Sequence, residues 1–101
     1  MMFIAMNRFK ILLGFENVFE SIWKKRETHL DGVPGFEEFN LIRGKTNESY
    51  TLHASHSIWE SKDVFEAWTK SEGFRLAHKH PDSNKDIYLG YAEFEGFEVV
   101  V

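Results

Sequence analysis

Cysteine is absent from the 101-residue chain. Disulfides, thiolate metal sites and a cysteine nucleophile are thereby excluded, which suits a reducing compartment. Positive charge is scarce: a formal net charge of −4 leaves no broad basic footprint of the kind nucleic-acid binders carry. Long apolar runs are missing too. The stretch Met1 to Met6 is too short for the core of a secretory signal, and Asn7 and Arg8 interrupt it. Nothing approaches the length of a membrane span. No glycine-rich phosphate loop, Walker pattern or dinucleotide fingerprint occurs, so no flavin or nicotinamide site is visible. These absences describe a soluble, cytoplasmic protein that binds neither nucleic acid nor membrane.

What is present is aromatic. Ten Phe, three Trp and three Tyr stand in a chain that is 43% hydrophobic, too apolar for a disordered tail. A core of this size does not need so many rings, so some are left to line a pocket or a subunit interface. The length gives one domain, residues 1–101. A domain this small buries a modest fraction of its surface, and dimerisation would stabilise it.

Met2 to Ile11 alternates as a strand, with Phe3, Ala5, Asn7 and Phe9 on one parity and Met2, Ile4, Met6 and Arg8 on the other. After Gly14, the residues Phe15, Val18, Phe19, Ile22 and Trp23 make the stripe of an amphipathic helix. Its basic last turns, Lys24 to Arg26, suit the negative end of the helix dipole. Leu30 to Gly35 is a turn. Phe36 to Arg43 and Tyr50 to Trp59 read as an antiparallel hairpin across the polar connector Gly44 to Ser49; Leu52, Ala54, His56 and Ile58 share one face of its second strand. Ser61 caps a second helix striped by Val64, Phe65 and Trp68. Gly73 interrupts that helix, Phe74, Ala77 and His78 share one side of a short continuation, and Pro81 ends it. Residues 82–93 form a loop, and Phe94 to Val101 a last strand with Gly96 as a bulge. The order β-α-β-β-α-β is the α+β ferredoxin-like arrangement, an antiparallel sheet with helices on one face.

Three residues stand out. Asn7 is a strand-interior amide on an apolar parity; it is either a satisfied core or edge amide or a donor aimed into a pocket. His78 lies one helical turn after Phe74, either packed or at the surface, or serving as an axial ligand, since a neutral imidazole among apolar rings binds heme iron. His80, two residues on, points elsewhere, so the pair is a poor zinc chelate. Trp68 is helix core, or an indole pressed against a planar cofactor. His53 and His56 lie on opposite faces of their strand and do not chelate together. Glu37 and Glu38 point apart and form no acid–base dyad.

The opening MFIAMNRFKI and the segment IWESKDVFEAWTKSEGFRLAHKH, from Ile58 to His80, resemble the antibiotic-biosynthesis-monooxygenase superfamily. Within it they most resemble the heme-degrading monooxygenases of the staphylococcal iron-surface-determinant type. The ending LGYAEFEGFEVVV is similar to the broader bacterial branch. The resemblance covers most of the chain, is strongest from Trp59 to His80, and is weak over 45–49 and 81–88. It implies a dimeric α+β barrel, a homodimer in which each protomer holds its own heme between sheet and helices. It assigns Asn7, Trp68 and His78 to the active-site set. His78 is then the proximal iron ligand and Asn7 the hydrogen-bond donor to the iron-bound oxygen species. Trp68 crowds the porphyrin out of planarity. Heme is both substrate and oxygen-activating cofactor, and electrons come from an external donor. Phe19, Ile22, Trp23 and Phe74 are candidate walls of pocket or core, and Arg26 or Lys24 candidate partners of the heme propionates. The loop after His80 is shorter than in the staphylococcal members, which leaves the ring-opened product undetermined. Two other activities suit the same features: a cofactor-free monooxygenase of quinols or polycyclic aromatics, and a non-catalytic heme-binding protein.

Overall fold

A computed structural model describes residues 1–78 and 85–101. The elements are β1 (Phe3–Leu12), α1 (Glu16–Lys25), β2 (Phe36–Thr46), β3 (Tyr50–Trp59), α2 (Lys62–Thr69), α3 (Glu72–Ala77), a single 3-10 turn (Lys85–Ile87) and β4 (Glu93–Glu98). The strands form one sheet in the order β2-β3-β1-β4, every pair antiparallel. This is the expected α+β ferredoxin-like fold, with the helices on one face. Among the described residues no helix is long and apolar enough to cross a membrane.

The helix-covered face carries Phe3, Ala5, Asn7, Phe9 and Ile11 from β1, the parity marked out in the sequence. Their partners on β3 are Trp59, Ser57, Ser55, His53 and Thr51. All five of these β3 residues are buried, so the inner face of β3 is mostly polar. The apolar parity of Leu52, Ala54 and Ile58 is turned away from the helices. Two apolar clusters form on the inner face. One gathers Phe3, Ala5, Leu30, Trp59 and Trp68; the other gathers Ile11, Phe19 and Ile87, with Phe9, Ile22 and Trp23 packed against it. Between them Leu41, Ser55, Asn7 and Phe94 lie in register across all four strands. Small side chains along the centre of that row hold no helix close to the sheet, and a cavity opens above them.

Several local readings change. The helical break falls at Lys70 and Ser71, not at Gly73, because Ser71 accepts a hydrogen bond from the Phe74 N–H (3.2 Å) and starts a new helix. Gly73 lies inside α3, where the Trp68 ring passes so close that a Cβ would stand 2.9 Å from it. Gly96 is no bulge: the β1–β4 register runs unbroken from Phe3↔Glu98 to Arg8↔Glu93. A Cβ there would sit 2.5 Å from the Phe3 ring, which explains the glycine. β2 continues to Thr46, through the residues read as connector, and its irregularities lie at Phe36/Glu38 and Arg43/Thr46. β4 ends at Glu98. The readings at His80, at Pro81 and at the start of the 82–93 loop lie outside the described residues.

Candidate active site

The cavity above the central row has a volume of about 440 Å³, within the roughly 300–1,000 Å³ usual for small-molecule sites. Its floor is Ala5, Asn7, Ser55 and Ser57 from the sheet; its roof comes from Trp68, Phe74, Ala77 and His78 of the helical layer. Trp59, Phe65 and Phe94 close one side, and Trp23, Phe39 and Arg26 the other. An apolar cavity with polar groups at a few points suits a small-molecule ligand.

His78 is the C-cap of α3. Its ring stacks on Phe74 with centroids 4.1 Å apart, and its Nδ1 lies 2.8 Å from the Phe74 carbonyl. That oxygen can only accept, so Nδ1 is the donor, and in the neutral ring Nε2 then has the lone pair. A histidine that ligates a metal typically has its other nitrogen pinned to a carbonyl in this way. The residue as a whole is exposed and stands at the edge of the cavity, facing also a shallow outer surface beside Glu72 and Arg75.

Asn7 is half-buried on the floor, and its carboxamide has no hydrogen-bond partner among the described residues. Trp68 is 7% exposed. It is stacked on Trp59 (6.1 Å) and met edge-on by Phe74 (5.8 Å). Asn7, Trp68 and His78, distant in sequence, therefore border one cavity, with Trp23, Phe74 and Arg26 beside them. Arg26 donates from Nε (3.3 Å) and a terminal nitrogen (3.1 Å) to the Ala77 carbonyl and lies over the Trp23 ring at 4.7 Å. It thereby covers the negative end of α3 and ties α1 to the turn that carries His78.

Phe19 and Ile22 do not border the cavity. Phe19 is fully buried in the second cluster and Ile22 packs against it, so both are core. Their stripe on α1 faces the Ile11 end of the sheet, and only Trp23 and Arg26, at the helix end, reach the slot. Lys24 borders a second cavity of about 340 Å³ instead, separated from the first by the stacked rings of Trp23 and Phe39 (5.7 Å). There the fully buried His53 donates from Nε2 to Glu20 (2.8 Å), and Arg43 Nε donates to the same carboxylate oxygen (2.6 Å). The hydrogen bond from His53, and after it that from Arg43, holds the Glu20 carboxyl below the usual carboxylate range against the opposing effect of partial burial.

The sequence reading missed Ser55, Ser57, Phe39 and Trp59 as cavity walls. For the three on β3 the signal was that strand's second parity, where a run of mostly polar residues ending in Trp59 marks a strand that faces an open space rather than a packed core; Phe39 lies opposite Ser57 on β2. Among the described residues no cluster of three or more His, Asp or Glu could hold a metal ion by itself. A lone imidazole suits a metal that brings its other ligands with it, as a porphyrin does.

Comparison with known proteins agrees with this geometry. The family profile of the antibiotic biosynthesis monooxygenases matches residues 2–80. A staphylobilin-producing heme oxygenase of Staphylococcus haemolyticus is 31% identical over 83 residues, covering 80% of this chain and 77% of that protein. A heme-degrading monooxygenase of Shouchella clausii is 51% identical over 61 residues, 59% of this chain and 56% of that one. The solved structure of the heme degrader MhuD of Mycobacterium tuberculosis, with two hemes bound in its active site, superposes with a TM-score of 0.71 at 26% identity, covering 98% of this chain and 96% of the other. The chain belongs to the antibiotic biosynthesis monooxygenase family.

Proposed function

We propose that this chain is a heme-degrading monooxygenase, active as a homodimer, that binds heme in the slot between sheet and helices and opens its ring. The observation that carries the reading is His78: its Nδ1–H is spent on the Phe74 carbonyl, which leaves Nε2 for a metal, at the edge of a cavity whose floor holds the Asn7 carboxamide, without a hydrogen-bond partner among the described residues. The names of the relatives and the heme-bound neighbour support it.

Bound heme would supply the iron centre for oxygen chemistry, with electrons from an external reductant. The chain's own residues do the rest. His78 would hold the iron, and the apolar rings would exclude water. Asn7, on the sheet floor of the cavity, would offer an N–H to a ligand carrying negative charge. Trp68, clamped by Trp59 and Phe74 with Gly73 behind it, has no room to retreat and forces a flat ligand to bend. Arg26, at the cavity side, faces the anionic propionates.

An absorption titration with hemin tests this. About one hemin per chain and a Soret band are expected, with the band weakened or lost in His78→Ala. Ascorbate under air then bleaches the band and releases iron to a chelator. Weak hemin binding that His78→Ala leaves unchanged overturns the proposal.

A further inference from the structure

Two serines stand two residues apart on the cavity floor, and only one has a structural role. Ser57 accepts from the Trp59 indole N–H (2.9 Å) and donates to the Ala5 carbonyl (3.4 Å). Ser55 is as deeply buried, 7% exposed against 8%, yet its hydroxyl makes no hydrogen bond among the described residues. Its oxygen opens into the cavity. A hydroxyl that only the cavity can reach adds nothing to the packing of the sheet, and valine would serve this central strand position better. Among the described residues nothing uses the Ser55 hydroxyl, which is left to water or to whatever fills the slot.

The register says where it acts. Ser55 lies directly opposite Asn7 on β1 and β3, both side chains on the cavity side. Side chains so paired have Cβ atoms about 4.5–5.5 Å apart, so the hydroxyl and the carboxamide address one point. Leu41 beyond Ser55 and Phe94 beyond Asn7 leave that point as a two-donor island in an apolar row.

We propose that Ser55 is a specificity-determining residue of this site: a second hydrogen-bond donor which, with Asn7, fixes the tilt of a small ligand held on the sheet side of the heme and so governs the distribution of ring-opened products. The proposal rests on the heme reading above. One donor can restrain a diatomic ligand along a single direction; two donors from adjacent strands restrain its direction within the slot, and the ring position nearest its free end follows.

The test uses the full chain loaded with hemin, reduced with dithionite and exposed to carbon monoxide. The C–O stretch falls as donors approach the ligand, so Ser55→Ala should move it to higher wavenumber, Asn7→Ala likewise, and Ser55→Thr should restore it. Circular dichroism checks that each variant is folded. Under ascorbate and air, chromatography of the products should show about a threefold change in isomer ratio for Ser55→Ala, as loss of part of one hydrogen bond between competing barriers gives. If Asn7→Ala moves the stretch while Ser55→Ala leaves both stretch and isomer ratio unchanged, the assignment of Ser55 falls and the heme reading stands. If the unmodified chain forms no Soret band with hemin, the heme reading falls and this proposal with it.

Discussion

At the scale of single residues, polar groups in this fold divide into those the fold satisfies and those it leaves for a ligand. Glu20 belongs to the first kind. Its carboxyl pKa is lowered, chiefly by the His53 hydrogen bond, so its contribution to stability is full above the ordinary value of 4.5 and is lost as pH falls through the lower folded value. Thermal unfolding followed across that acid range should show the unmodified chain losing stability faster than Glu20→Gln; parallel curves would remove the assignment. His53→Ala leaves the Glu20 carboxylate with Arg43 alone and opens space beside Phe19, whose ring lies 5.0 Å from the imidazole. A loss of about 1–3 kcal/mol is expected by denaturant titration. Asn7 and His78 were legible in the sequence because each breaks a pattern, an amide on an apolar strand parity and an imidazole one turn after a phenylalanine. Ser55 and His53 were not, because their parity on β3 was never tied to the helix-covered face. Nothing in Leu52, Ala54 and Ile58 tells which side of a sheet they will meet.

At the scale of elements, α3 is the fragile part of the site. Six residues are too few to form a helix unaided. Two attachments hold it: the Ser71 hydroxyl capping the Phe74 N–H at one end and Arg26 on the Ala77 carbonyl at the other. Ser71 is not a wall of the central cavity, so Ser71→Ala isolates the positioning effect. The cap is worth about 1 kcal/mol, and its loss should weaken hemin binding several-fold by letting His78 wander, while amide exchange over α3 speeds up. Unchanged affinity with faster exchange would mean that ligation does not need the helix. Gly73→Ala tests the same element from the other side. A methyl group 2.9 Å from the Trp68 ring forces the indole towards the cavity or the helix away from it, and a red-shifted Trp fluorescence with reduced hemin capacity is expected. The strand and helix order was readable from periodicity. The break between α2 and α3 was misplaced because glycine is the louder signal, although Ser71 carries the actual cap.

At the scale of the whole molecule, one sheet face remains to be explained. An antiparallel sheet covered on one side usually shows polar residues on the other, yet here the outer face carries Ile4, Met6, Leu52 and Ile58, with Phe97 and Ile42 each 42% exposed. Ion pairs stand towards one end of it, Arg8 with Glu95 at 2.8 Å and Lys10 with Glu93 at 4.0 Å. An apolar surface of this kind suits an interface, and a second copy of the chain, as proposed above, is the partner to test. Light scattering on a sizing column should give twice the chain mass at micromolar concentration. Ile58→Lys, placed near the end of β3 on the outer face, should give the monomer. Since His78, Asn7 and Trp68 all border a cavity built within one chain, that monomer should still bind hemin if it stays folded, with affinity reduced only as far as the sheet relaxes. A monomeric unmodified chain would leave the outer face without a partner and remove the dimer from the proposal. Complete loss of hemin binding in a folded monomer would show instead that the slot needs the second subunit to hold its shape.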